Sequence, residues 1–287
     1  MQLSNALIQV HFRRIAVGTV MLPLFSFLFC VIWSLLNNFK SVTATHCKVW
    51  NFLPSISSAI GSYTPQTYVW RMGIALHSAP RLLISFMYRR YYHKLLADTP
   101  QYQFLGTTAF VLNVIENLCL LGLTNISSSE NYPAHEKLFC TFVISSSFYM
   151  LLSIRIPRYV TRRPLTPIER RSLKTKKVFA TTSIISEIFA TYFFLQHNWH
   201  CKAGMYSMFA LSEYIVVLSN MGFHMTAYYD FHDQELVLGA IVPSSHQEDK
   251  VKTCCMLELA ITGDIQMVLQ VLRAMLCTFT PISLRST

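Results

Sequence analysis

Six apolar stretches, separated by loops alternately rich and poor in lysine and arginine, constrain this chain more than any other feature. The richest loop, residues 155–177, carries Arg155, Arg158, Arg162, Arg163, Arg170, Arg171, Lys174, Lys176 and Lys177 against one acid, Glu169. Short basic loops stay in the cytoplasm, so the alternation assigns a compartment to each end of every apolar stretch. About twenty apolar residues cross a hydrocarbon core, which predicts spans near 15–37, 68–88, 104–124, 137–156, 178–195 and 205–227. With the N-terminus inside, fourteen basic residues flank the spans on the cytoplasmic side and four (Lys40, Lys48, Lys137, Lys202) on the other. The expected fold is all-α, a polytopic membrane bundle of about six transmembrane helices with both termini cytoplasmic.

Composition agrees. Of 287 residues, 52% are hydrophobic and only 13% charged, with mean hydropathy +0.36. A soluble domain normally carries nearly twice that charge. The net charge of +10 is concentrated in one loop. It therefore serves topology and anionic headgroups rather than nucleic acid. The first apolar run follows Arg13 and Arg14 without a clear small-residue cleavage site, so it reads as a retained signal-anchor. The chain divides into a cytoplasmic N-terminus (1–14), a membrane domain (15–227) and a cytoplasmic tail (228–287). In the tail, residues 256–276 are apolar but interrupted by Glu258, Asp264, Gln266, Gln270 and Arg273. That pattern suits a surface amphipathic helix better than a span.

Cys30, Cys119 and Cys140 fall in spans and Cys254, Cys255 and Cys277 in the tail. Cys47 and Cys201 fall on the luminal side, where an oxidising compartment favours a disulfide between the first and third luminal loops. The alternative is two unrelated cysteines in flexible loops. Asn125-Ile126-Ser127 is a glycosylation sequon close to the membrane on the same side.

Ionisable groups within spans are costly and usually paired or functional. The second span carries Arg71, His77 and Arg81, the third Asn113, Glu116 and Asn117, the sixth Glu213, Asn220 and His224. Within each span the spacing keeps these groups on one helical face. His77, Glu116 and Glu213 each fall roughly 12–14 Å below the luminal boundary at ~1.5 Å per residue, which predicts a shared polar layer. The plainer alternative is an Arg81 ion pair with Glu116 or Glu213 and asparagines joining helices. His224 reads as a cap at the cytoplasmic end, and Glu187 is a lone acid. The luminal loops add His46, Glu130, His135, Glu136 and His197, suited to acid–base work on a lipid ester or to plain solvated loops. No HxxxH, CxxC or HExxH spacing appears, so no metal site is expected. Neither a GxSxG elbow nor a Walker loop is present.

Several segments carry a resemblance. Thr43-Ala44-Thr45-His46-Cys47, Leu53-Pro54-Ser55-Ile56-Ser57-Ser58-Ala59-Ile60-Gly61, Tyr68-Val69-Trp70-Arg71 and Leu76-His77-Ser78-Ala79-Pro80-Arg81 resemble the post-GPI-attachment-to-proteins factor two family. So do Asn113-Val114-Ile115-Glu116-Asn117, Ser127 to Glu130, His135-Glu136, His197-Asn198, Cys201, the Asn220 to Ala227 stretch and Tyr228-Tyr229-Asp230-Phe231. The likeness runs in order from about residue 25 to 235; it departs at Glu187, where the family has a small residue, and beyond Leu238. It implies a multi-pass Golgi protein, with endoplasmic reticulum as a further location, acting on GPI-anchored proteins. There it would restore a saturated chain, typically stearoyl, to the sn-2 position of lyso-GPI.

Two functions follow from these readings. In an acyltransferase, His77 would be the base, oriented by Glu116 or Glu213. Arg81 or Asn113 would stabilise the oxyanion, and Arg71 would hold phosphate. Asn117, His46, Glu130, His135, Glu136 and His197 complete the candidate substrate contacts. The acyl donor, acyl-CoA or phospholipid, is open, and no tightly bound cofactor is expected. The other function is a non-catalytic lipid-binding or adaptor subunit. A transporter is disfavoured because the chain shows no internal repeat.

Overall fold

A run of apolar residues in lipid satisfies its backbone by becoming a helix, and the long apolar stretches do so here. The computed structural model describes residues 6–159, 164–239 and 270. In chain order the elements are strand β1 (Ala6–His11), helices α1 (Phe12–Asn37), α2 (Phe39–Val42), α3 (Ile56–Gly61), α4 (Gln66–Leu95), α5 (Gln103–Asn125) and α6 (Tyr132–Arg155), then α7 (Pro167–His200), α8 (Met205–His224), α9 (Ala227–Asp230) and strand β2 (Glu235–Gly239). β1 and β2 pair as a two-stranded sheet, which the reading of the sequence as helices does not anticipate. The helices form their own unit, His11–Gln234. The proposed amphipathic helix at 256–276 lies outside the described residues apart from Gln270.

Among the described residues four helical segments are long and apolar enough to cross a membrane: Phe12–Asn37, Pro100–Asn125, Tyr132–Tyr159 and Pro167–His200. α4 and α8 have the length, at 30 and 20 residues, but carry the polar stripes noted above. The bundle is organised for lipid. Large apolar side chains such as Phe25, Leu36, Met72, Phe104, Phe148 and Ile188 face outward, while Thr19, Ser34, Ser85, Ser145 and Ser183 are buried between helices. Lipid tails offer no hydrophobic drive for helix association, so small and hydroxylated residues sit where backbones meet. Gly73 shows why: a Cβ there would fall 2.0 Å from Ser26 Oγ on α1.

α7 begins earlier than its apolar run. Residues 167–177 were expected in a loop but form its first three turns. The reason is local: Thr166 Oγ1 accepts the Glu169 N–H, Glu169 accepts the Thr166 N–H at 2.8 Å, and Pro167 occupies the first helical position. Lys176 is accordingly buried and ion-paired with Asp230 instead of lying in solvent.

The segment between α1 and α4 packs against the start of α8. Ser207 Oγ accepts the Phe52 and Leu53 N–H groups at 2.7 and 3.0 Å. Tyr214 Oη donates to the Pro54 carbonyl at 2.6 Å, and Tyr206 Oη donates to Ser55 Oγ at 2.8 Å. Gly204, whose φ of +76° favours glycine, opens α8 and donates its N–H to the Trp50 carbonyl. Beside it the Cys47–Cys201 disulfide joins the two loops, as expected, with 5.3 Å between Cα atoms.

Candidate functional site

Facing polar stripes on α4, α5 and α8 converge on a buried cluster. Arg81 Nη2 donates to Glu116 Oε1 at 2.7 Å and to His224 Nε2 at 2.6 Å; His224 Nε2 also lies 3.1 Å from that carboxylate oxygen. Asn220 Nδ2 donates to the same oxygen and to Ser146 Oγ, both at 2.7 Å, which brings in α6. Arg81 and Glu116 are 3% and 0% exposed. An ion pair so deep holds only because each charge finds a partner. The ring of Tyr149 stacks on His224 at 5.5 Å.

His77 borders this cluster. Its Nδ1 sits 2.6 Å from the Thr19 carbonyl of α1. A carbonyl only accepts, so that nitrogen carries the proton and Nε2 keeps the lone pair. Nε2 accepts from Arg81 Nη1 at 3.4 Å. Glu116 and Glu213 do not hold this ring, contrary to expectation. Glu213 accepts the Ile56 N–H of α3 at 2.9 Å instead.

The shared polar layer therefore divides in two, for a geometric reason. Glu116 is nine residues from the end of α5, whereas its contact His224 is nineteen from the start of α8. At 1.5 Å per residue, α8 thus starts about 15 Å further out than α5 ends. Equal depths measured from helix ends do not hold. His224, read as a terminal cap, is at the centre of the cluster, and Glu213 lies eleven residues above it.

Between the two levels runs a cavity of about 80 Å3. α8 lines it with Glu213, Val217, Asn220, Met221 and His224, and α4 with Trp70, Ile74, His77 and Arg81. Both sets repeat at helical spacing over three turns, so the lining residues span about 16 Å along each helix at 1.5 Å per residue. Val20, Ile60, Leu120, Leu123, Phe139 and Phe142 make its walls apolar. An apolar slot with a few convergent polar groups is the usual form of a small-molecule site.

The outer end of the slot carries Ser57 of α3 and His135 of α6, with Ser57 Oγ 2.9 Å from His135 Nε2. A smaller adjoining pocket shares these two residues and adds Arg71, Ser127 and Ser128. Arg71 donates to the Thr124 and Asn125 carbonyls and lies 3.6 Å from Glu130. The Ser127 N–H, followed by its hydroxyl, holds the exposed Glu130 carboxyl below its usual range.

The other candidates sit elsewhere. Asn117 Nδ2 donates to the Ser78 carbonyl, tying α5 to α4, and Asn113 is buried nearby; neither lines the slot. Glu136 is exposed on α6. His46 and His197 stack edge-on at 5.5 Å beside the disulfide. His46, Cys47 and Cys201 lie close enough to hold a metal among the described residues, but the disulfide occupies both sulfurs. Asn125 is exposed at the end of α5, while Ser127 of its sequon is buried and bonded to Glu130. Glu187 accepts hydroxyl hydrogen bonds from Ser147 and Ser183. Ser146 is not among the sequence candidates, and Ser57 appears only within the Leu53–Gly61 segment of the resemblance with no site role; serines are common, and only the meeting of distant segments marks these two.

A family model described as the Frag1/DRAM/Sfk1/Cwh43P N-terminal domain matches residues 11–234, which contain the whole cluster and slot. Acyltransferase PGAP2 of Xenopus tropicalis is 46% identical over 235 residues, covering 82% of this chain and 93% of that protein. Post-GPI attachment to proteins factor 2 of Drosophila melanogaster is 43% identical over 237 residues, 83% of this chain and 92% of the relative. The chain belongs to the post-GPI attachment to proteins factor 2 family. A more distant relative, protein cwh43 of Schizosaccharomyces pombe, is 22% identical over 180 residues, or 17% of its length. No solved structure matches. The polar cluster and the disulfide loops both lie within the matched segment, and residues beyond 234 fall outside it.

Proposed function

We propose that this protein remodels the lipid of GPI anchors by acyl transfer, restoring a saturated chain, typically stearoyl, to the sn-2 hydroxyl of lyso-GPI. The observation that carries the reading is the slot itself. It is apolar along its walls and polar at both ends, and its lining runs over three turns of α4 and of α8. Relatives named for post-GPI attachment and for acyl transfer support the same reading.

The proposed topology has six spans, with α4 and α8 crossing the membrane beside the four more apolar segments, each showing lipid an apolar face (Tyr68, Met72, Leu76; Leu211, Ile215, Leu218), and both termini in the cytoplasm. The charge distribution and the Cys47–Cys201 bond support it, since disulfides persist on the oxidising side. The outer end of the slot, with Ser57, Arg71 and His135, then faces the lumen of the Golgi, the side on which GPI-anchored proteins lie. Arg71 is positioned for an anchor phosphate, and the Arg81 guanidinium with the neutral His77 and His224 rings forms the polar floor. Glu116 holds that floor in place.

Filling the slot tests this reading. Val217→Phe adds a ring to the wall without touching the polar cluster. Cells relying on this variant should make normal amounts of protein but accumulate single-chain lyso-GPI, and GPI-anchored proteins should leave the surface. One acyl chain gives only marginal membrane binding, K on the order of 10⁴ M⁻¹. Anchor lipids resolved by mass spectrometry provide the check; normal two-chain anchors in these cells would count against a role for the slot.

A further inference from the structure

Ser57 and His135 form an arrangement that the proposed function does not yet use. His135 Nδ1 lies 2.7 Å from the Ile126 carbonyl oxygen, which can only accept, so Nδ1 carries the ring proton. Nε2 therefore bears the lone pair and accepts the Ser57 hydroxyl at 2.9 Å. A hydroxyl on an imidazole lone pair, with the other ring nitrogen fixed by an acceptor, is how a serine is made nucleophilic. Here a backbone carbonyl takes the place usually held by a carboxylate.

Both residues are held firmly. Ser55 caps α3 through the Ser58 N–H and is itself gripped by Tyr206, which fixes Ser57. Asn131 caps α6 through the Ala134 N–H, one residue before His135. His135 is buried and Ser57 half-buried, and both border the apolar slot and the smaller pocket containing Arg71. The pair thus stands between a place for a chain and a place for a phosphate.

We propose that Ser57 is a covalent nucleophile and His135 its general base, so that the acyl chain rests on the protein before lyso-GPI receives it. The inference rests on the acyl-transfer reading above. In the first half-reaction Ser57 Oγ bonds to the carbonyl carbon of an acyl ester or thioester, and its proton passes to His135 Nε2. The donor's C–O or C–S bond breaks, and the leaving alkoxide or thiolate takes that proton. In the second, the sn-2 hydroxyl gives its proton to His135 Nε2 and attacks the acyl-Ser57 carbonyl. The bond to Ser57 breaks, and Oγ recovers the proton.

The experiment uses the purified full chain in phosphatidylcholine vesicles without lyso-GPI. Radiolabelled stearoyl-CoA is the probe in one arm and phosphatidylcholine labelled in its sn-2 stearoyl chain in the other. Label should appear on the protein, resist neutral hydroxylamine, be released by alkaline hydroxylamine, and map to Ser57 by mass spectrometry. When lyso-GPI is added, that label should move to the lipid. Ser57→Ala should carry no label and lose roughly 10³-fold or more in transfer rate, the scale seen when a nucleophile is removed. Ser57→Cys should take up label that neutral hydroxylamine releases, which guards against a folding defect in the alanine variant. If the wild-type chain transfers label to lyso-GPI and folded Ser57→Ala does so equally well, the nucleophile assignment is wrong but the acyltransferase reading stands. If the wild type transfers nothing from either donor, the acyltransferase reading itself falls, and this inference with it.

Discussion

Replacing Arg81 with alanine is expected to destabilise the helical unit by about 3–5 kcal/mol, the usual result of stranding one member of a buried ion pair. Glu116 is fully buried, and Arg81 Nη2 is 2.7 Å from its Oε1. Asn220 would remain as a donor, but an amide dipole does not replace a guanidinium charge. Glu116 Oε2 has no hydrogen-bond partner among the described residues, so the carboxylate has little reserve. The protein should melt early in detergent and accumulate poorly in membranes. Arg81→Met combined with Glu116→Leu removes both charges and should recover most of the folded protein, because well-packed apolar substitutes for buried pairs are often neutral or better. Remodelling should not recover, since Arg81 forms the floor of the slot. Thermal unfolding of the three forms, read beside their anchor lipids, separates the effects. A double variant with full activity would mean that the cluster only holds helices together.

Lys176→Met should be nearly as costly, again about 3–5 kcal/mol for a stranded buried charge. Lys176 pairs with Asp230 of α9, and Tyr88 of α4 donates its hydroxyl to the same carboxylate oxygen at 2.7 Å. The Lys176 ammonium also lies 5.0 Å from the centre of the Tyr88 ring. Three elements distant in sequence are joined here, on the opposite side of the Arg81 cluster from the slot. Asp230→Asn in the Lys176→Met background should restore stability by removing the stranded charge. Unfolding midpoints of both variants in the same detergent provide the measurement. Additive losses in the double variant would show that the two side chains do not act as a pair.

These residues also mark how far the sequence could be read. The long helices were legible because lipid demands continuous apolar helix, and the disulfide because only two cysteines fall in the lysine- and arginine-poor loops. The inward turn of the stripes was legible too: Arg81, Glu116 and Asn220 do meet. Lys176 was counted as one charge in a topological loop, although Thr166-Pro167-Ile168-Glu169 already spelled a capping box that extends α7 past it. Depth does not follow from counting residues from helix ends, because α8 begins well beyond the end of α5. The loop carrying α3 packs over the start of α8, and no local pattern reveals how far a helix projects. Ser57 stayed hidden for the same reason. Its partner is 78 residues away, and the contact exists only because α3 packs down beside α6.

The most direct test of the whole account is reconstitution. The purified chain, alone in vesicles with lyso-GPI and a labelled stearoyl donor, should move the stearoyl chain to the sn-2 position, and Val217→Phe should block that transfer. Binding of lyso-GPI with no chain transferred from either a thioester or a phospholipid donor would contradict it, and would make the protein a lipid-binding subunit instead.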